Sequence, residues 1–396
     1  MIGDVPEGWE IGFLNDKTTN EIKSSGIDIF NGHKNYLSTE CIKKNKIVKI
    51  EDVITYDKRL SRANLQPQEN DVFFAKMKET EKVIKITKDI EEQYILSTGF
   101  MPIKPYLNKI NSLYLSQYFK TKRFNQIKNK LSNGGTQKAL NNQNAKKIFI
   151  PIPPLFQQEL ISKILLISSS LIEKQQELIE KYDLFLKAKF IEMFGDPLIN
   201  DLNWNYKFFA DIASCRLGKM VDKKQNIGKE KFIYLANTNV QWGYFNLQDL
   251  RKMYFSDAEK TEFNLQKGDL LICEGGEIGR TAIWKEEIEN CYFQKALHRC
   301  RVDKSIVAPE YISYFMLNMT KRGGLSKFVV SATIPHLTGI KLKKINIPIP
   351  PITLQNKFAK IVEKIETIKT KESKKLEQLE TLHSSLMDKA FKGEIA

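Results

Sequence analysis

A chain of 396 residues has room for two to three domains with cores of their own, and its 42% apolar content sets it apart from a disordered polyelectrolyte. A formal net charge of +15 points to a polyanionic partner, nucleic acid before an anionic membrane surface, although a Lys-, Ile- and Asn-rich composition alone gives such a balance. Residues 1–7 lack the basic head and apolar run of a secretory signal. No stretch is expected to reach the roughly 18 apolar residues of a spanning helix, and five cysteines without a CxxC pair read as reduced thiols of a cytoplasmic protein.

Residues 1–150 read as one globular unit, strands first and helix late. Asn35-Tyr36-Leu37-Ser38 and Asp71-Val72-Phe73-Phe74-Ala75 are apolar runs of strand length, joined by a polar, basic connection that contains Arg59 and Arg62. Over 112–130 the spacing turns helical, with Leu115, Phe119, Phe124 and Ile127 on one face. A turn-rich loop, Ser132-Asn133-Gly134-Gly135-Thr136-Gln137-Lys138, follows.

Next comes Lys146-Lys147-Ile148-Phe149-Ile150-Pro151-Ile152-Pro153-Pro154. It returns 197 residues later as Lys343-Lys344-Ile345-Asn346-Ile347-Pro348-Ile349-Pro350-Pro351, identical at eight of nine positions. Each copy leads into a long amphipathic helix. The first ends near Gly195-Asp196-Pro197 and the second near Lys392-Gly393, so the chain divides into 1–150, 151–197, 198–347 and 348–396. Positions 164, 168, 171, 175, 178, 182, 185 and 189, with 361, 365, 368, 372, 375, 379, 382 and 386, step alternately by 4 and 3, as in a coiled-coil seam. Each helix needs a partner for that stripe, and the other copy is the economical one. A helix of about 38 residues is about 57 Å long. Paired antiparallel about a pseudo-twofold axis, such helices would hold two globular units one or two turns of duplex DNA apart.

Residues 198–347 repeat the first unit in outline. Tyr234-Leu235 answers Tyr36-Leu37, Asp269-Leu270-Leu271 answers Asp71-Val72-Phe73, and Thr333-Ile334-Pro335-His336-Leu337 answers Thr136-Gln137-Lys138-Ala139-Leu140. A helix opens at Ala308-Pro309. The fold class is therefore α+β: two duplicated mixed α/β units with two long helices pairing as an antiparallel coiled coil. One scaffold with two different faces suggests two different things being read.

Catalytic signatures are scarce. There is no GxxxxGK[ST] loop, no HExxH and no Asn-Pro-Pro-aromatic motif. Gly275-Gly276-Glu277-Ile278-Gly279 leads into the apolar Thr281-Ala282-Ile283-Trp284 and reads as a strand-connecting turn, and His298-Arg299-Cys300 with Cys291 fits no standard zinc spacing. No cofactor is expected. For nucleic acid the base-edge candidates are Thr136, Gln137, Lys138, Asn141 and Asn142 in one unit, and Arg280, Thr333 and His336 in the other. Arg59, Arg62, Lys76, Lys78, Lys122 and Arg123, with Arg251, Lys321 and Arg322, are candidates for neutralising phosphates.

The order globular unit, IPxPP and helix, globular unit, IPxPP and helix resembles the specificity subunit of type I restriction–modification systems over the whole chain. The most specific features are Ile150-Pro151-Ile152-Pro153-Pro154 with Gln158, and Ile347-Pro348-Ile349-Pro350-Pro351 with Gln355. Phe194-Gly195-Asp196-Pro197, Val5-Pro6-Glu7-Gly8-Trp9 and Gly268-Asp269-Leu270-Leu271 add to it. The resemblance implies two target recognition domains, each reading half of a split double-stranded DNA sequence, and paired helices that dock two methyltransferase (modification) subunits. Those subunits carry S-adenosylmethionine and methylate adenine, and restriction subunits add ATP-driven translocation and cleavage. This chain would supply the address and no catalysis. The competing readings are a coiled-coil adaptor or RNA-binding protein without DNA sequence specificity, and a nuclease or methyltransferase with divergent motifs. Ala75-Lys76-Met77-Lys78-Glu79-Thr80 lacks the glycines of Glu274-Gly275-Gly276-Glu277-Ile278-Gly279, so contacts do not transfer between the copies there.

Overall fold

The computed structural model describes residues 6–135, 137–220, 230–329 and 336–395. The chain forms two compact units, one from Met1–Gln176 with Lys375–Ala396 and the other from Glu177–Lys374.

In the first unit the apolar run at 71–75 becomes the wholly buried strand Val72–Ala75. It lies third in a four-stranded antiparallel sheet ordered Asn20–Ile22, Phe100–Pro105, Val72–Ala75, Val83–Lys85. A second sheet runs Asp52–Ile54, Lys34–Leu37, Tyr94–Ser97, Ala63–Leu65, with the middle two strands parallel. The stretch expected as a plain polar connection thus carries strands at Asp52–Ile54 and Ala63–Leu65 and a hairpin of Ile42–Lys43 with Lys46–Ile47. These strands are two or three residues long, too short for alternation to register in the sequence. The helical stretch at 112–130 is two helices, Ser112–Phe119 and Lys122–Leu131, because the Thr121 hydroxyl accepts the Phe124 amide and starts a second one. Leu115, Phe119 and Phe124 are buried as expected.

The second unit repeats the plan. Its four-stranded sheet runs Ala213–Leu217, Leu297–Val302, Leu270–Cys273, Thr281–Ile283. Beside it Arg251–Met253 and Tyr292–Phe293 flank Phe232–Leu235, the latter pair again parallel. Helix Pro309–Lys321 opens with its proline in the first turn, where the missing N–H costs nothing.

The repeated motif is held identically in both units. Its strand, Phe149–Ile152 or Asn346–Pro348, pairs with Glu10–Phe13 or Tyr206–Phe208. Buried Gln158 accepts the Asn111 amide at 2.7 Å and donates to the carbonyls of Lys109 and Pro153. Buried Gln355 does the same with the Ala308 amide and the carbonyls of Ile306 and Pro350. The Tyr114 hydroxyl donates to Pro151 and the Tyr311 hydroxyl to Pro348. The prolines fix the strand-to-helix bend, and the Gln and Tyr satisfy the carbonyls that the bend exposes.

Two long helices follow, the central one over Leu155–Phe194 and the distal one over Ile352–Ala390. The central helix stops at Gly195, whose φ of +75° is left-handed. Within the first unit the stretches run antiparallel, with Ser168 Oγ 2.7 Å from His383 Nδ1 and Gln176 against Glu380. Within the second they do so again: Asp183 pairs with Lys369, and the Phe190 ring meets that of Phe358 at 5.6 Å. The 4–3 repeat holds, but half of the expected seam is one residue out. Ser168, Gln175 and Tyr182 face inward as expected, whereas Leu165, Ile172, Ile179 and Leu186 are sheltered in place of Ile164, Leu171, Leu178 and Phe185. On the distal helix Val362, Lys369, Leu376 and His383 likewise replace positions 361, 368, 375 and 382. On the central helix both residues of each pair are apolar, so the pattern fits either phase and packing decides.

Two further expectations are corrected. Cys215 and Cys300 face each other across the ladder of Ala213–Leu217 with Leu297–Val302, Cα atoms 4.1 Å apart, and are joined as a disulfide. Strand register, invisible at a sequence separation of 85, brings them together. Cys41, Cys273 and Cys291 are free and buried, and burial pushes the Cys273 and Cys291 thiols up to about 11 and about 12. By length and composition alone the Leu155–Phe194 helix could cross a membrane, contrary to the expectation for any stretch. Here it buries Gln158, Ser162, Ser168 and Gln175 against protein, and one such helix is weak grounds for a span.

Candidate nucleic-acid interface

A candidate site lies at the turn after each buried central strand. In the first unit the Ala75 amide donates to Lys82 and closes a turn over 76–82, in which Glu79 takes a left-handed φ of +61°. In the second, the Cys273 amide donates to Arg280, with Gly276 and Gly279 at φ of +73° and +76°. The glycine-free turn therefore keeps the same frame and places a non-glycine residue where L side chains cost about 1 kcal/mol. A Cβ on Gly279 would stand 2.6 Å from Leu325 Cδ1, so there the glycine also serves close packing.

Each turn is laced to the loop before the IPxPP motif. The Lys76 amide donates to Gly99 and its carbonyl accepts from Leu140; the Glu274 amide donates to Ala296 and its carbonyl accepts from Leu337. The Lys78 amide also donates to Lys138. The structure thus gathers Lys76, Lys78, Gln137 and Lys138 onto one surface. Arg62 adjoins it, its carbonyl accepting from Thr98 beside Gly99. Lys78, Gln137, Lys138, Asn142 and Arg62 are exposed, while Lys76 is half-buried and burial pushes its ammonium pKa down. Asn141 spends its side-chain oxygen capping Asn142–Ala145 through the Asn144 amide.

Other candidates stand elsewhere or are engaged. Lys122 and Arg123 open the helix whose far end holds the turn, and Arg123 lies 4.6 Å over the Phe149 ring. Arg59 packs on Tyr56 and donates to its carbonyl. Arg280 donates to the Asn237 carbonyl at 2.6 Å and neighbours Glu277, which also pairs with Lys321. Arg322 pairs with Asp196 at 2.6 Å, and Arg251, on a strand of the smaller sheet, with Asp249 at 3.7 Å. His336 is exposed beside Leu337. Thr136 and Thr333 lie outside the described residues.

Two groups and the role of a third escaped the sequence reading. Lys128, 1% exposed, donates to the carbonyls of Ala75 and Thr80 and pins the first turn from beneath; burial pushes its pKa down to about 8. In the second unit His298, 1% exposed, lies 2.9 Å from the Leu337 carbonyl, and burial lowers its pKa, so a neutral ring donates from Nε2. It belongs to the loop's support, and among the described residues no three His, Cys, Asp or Glu side chains stand together as metal ligands. Last, the hairpin Ile42–Lys43/Lys46–Ile47 turns through Lys44 and Asn45 at φ of +47° and +59°. Its Asn45 oxygen accepts the Val83 amide at 2.7 Å, which sets exposed Lys43 and Lys44 beside the 76–82 turn, while Lys46 pairs with Glu173 of the central helix at 2.7 Å. A two-residue turn at Lys-Asn between isoleucines was the available signal.

A model of the type I restriction modification DNA specificity domain matches residues 6–181 and again 202–381. The chain belongs to this family. Among relatives of the specificity-domain family, a Haemophilus influenzae protein provisionally named a type I restriction enzyme specificity subunit is 29% identical over 266 residues. That match covers 65% of this chain and 65% of that protein. The Escherichia coli EcoKI specificity subunit is 22% identical, over 99% of this chain and 90% of its own. A chain from a structure of type I R-M complex assembly and conformational transition shares the fold at a TM-score of 0.63 and 19% identity. It is covered over 100% of its length and matches 99% of this one.

Proposed function

We propose that this chain is the sequence-specific DNA-recognition subunit of a type I restriction–modification complex. Residues 1–150 and 198–347 act as target recognition domains, each reading one half of a bipartite site, and the central and distal helices act as the scaffold. The observation that carries this reading is the shared backbone frame of the two laced turns, which carry unrelated side chains: half-buried Lys76 with exposed Lys78, Gln137 and Lys138 in one, and exposed His336 with an Arg280 held on the Asn237 carbonyl in the other. A common frame with different faces suits two different base sequences. Gln137 and the amides offer bidentate contacts to base edges, and the lysines contact phosphates.

Partners follow from the same reading. Phe156, Leu160, Ile167 and Leu171 of the central helix are 67%, 40%, 52% and 47% exposed, an apolar stripe suited to a modification subunit. Two such subunits would supply methylation, and restriction subunits translocation and cleavage. The chain itself would be non-catalytic and cytoplasmic.

The test is to co-purify the chain with its modification subunits and measure binding to genomic duplex fragments under competition. Retention of a subset sharing a split motif supports the proposal. Equal retention of all fragments, or preference for RNA, would favour the adaptor.

A further inference from the structure

The outer face of the distal helix carries a second charged surface, on a different element from the laced turns. Lys357, Lys360, Lys364, Lys371 and Lys374, with Thr367, step by 3 and 4 residues along the part of Ile352–Ala390 that belongs to the second unit, and all are exposed. At 3.6 residues per turn they fall within an arc of roughly 100°, on the side away from the sheltered Phe358, Val362, Ile365 and Lys369. No carboxylate of this helix stretch falls within that arc, since Glu366 pairs with Lys285 and Glu363 sits at its edge. The duplication supplies an internal control. The same positions of the central helix carry Leu160, Lys163, Ile167, Ser170, Lys174 and Glu177, so the scaffold does not require lysine there.

We propose that this stripe is a phosphate track, a sequence-independent contact to the backbone of duplex DNA, resting on the recognition function above. Five like charges on one unpaired face repel one another, and a polyanion relieves that repulsion. The chemistry disfavours a protein partner: interface cores are depleted in lysine, and this face, built of Lys and Thr, offers no aromatic or arginine anchor. Lysine on a flexible stem is a point charge suited to phosphate without base readout. A straight helix touches a duplex over part of its length, so two or three of the five lysines engage at once.

The experiment uses the chain assembled with its modification subunits, comparing the parent with a K357Q/K364Q/K371Q variant on a duplex bearing its motif. Kd is measured from 50 to 200 mM salt. Each lost phosphate contact lowers the slope of log K against log salt by about 0.9, so a fall of about 2 is expected, with the preferred motif unchanged. An unchanged slope in a variant that melts like the parent overturns the track. Loss of assembly with an unchanged slope overturns it too and makes the stripe a protein-docking face. A parent complex that prefers no motif is a failure of the recognition proposal, and the slope comparison on any duplex still reads the track.

Discussion

At the residue scale, Gln158 and Gln355 do the same work in two places. Each closes three hydrogen bonds inside a bend and is fully buried. Gln158→Ala and Gln355→Ala should each cost about 2–4 kcal/mol, read by urea unfolding, because buried amide and carbonyl groups lose their partner. The sequence displayed both glutamines after the motif but not what they bind, since partners some 47 residues away appear only with the fold. Lys128 was harder to see, as a lysine in a helix of mixed pattern reads as solvated. Its pKa of about 8 in the folded chain lies below the usual 10.5. Between those values the unfolded chain holds a proton the folded chain releases, so stability rises with pH across that window and is flat below it. Lys76 and Lys120, also lowered by burial, add to the rise, so the reading is a difference. Lys128→Met should show a shallower increase than the parent between pH 8 and pH 10. An equal increase would show that Lys128 does not titrate there.

At the scale of elements, the two long helices were the most legible part of the chain, because caps, prolines and some forty residues of 4–3 spacing agree. Their phase was not legible. Leu171 and Ile172 are adjacent and both apolar, and only the partner helix decides which turns inward. The structure therefore makes paired predictions. Leu165→Ala should cost about 2–5 kcal/mol and Phe190→Ala about 3–5, since both side chains are fully buried. Leu171→Ala and Phe185→Ala, each 47% exposed, should cost well under half of that. Thermal melts that rank the pairs the other way would restore the earlier phase. The short strands failed for the opposite reason, being too brief for a pattern, and the Cys215–Cys300 pairing needed strand register that no spacing encodes.

At the scale of the molecule, duplication is the fact that the sequence states most plainly and that the fold repeats in its four-stranded sheets, its laced turns and its IPxPP bends. What it leaves unstated is the target itself. The exposed groups of the two laced turns differ, and base preference depends on poses and DNA shape that no residue-to-base code supplies. The measurement that tests the account most directly is genome-wide adenine methylation in cells expressing this chain with its modification subunits, repeated after residues 1–150 are exchanged for those of a relative. Methylation is expected at one split motif, two specified halves around an unspecified spacer, and the exchange should alter one half and leave the other intact. Methylation that does not depend on the chain, in cells where the complex is shown to assemble, would contradict the account, as would an exchange that rewrites both halves together.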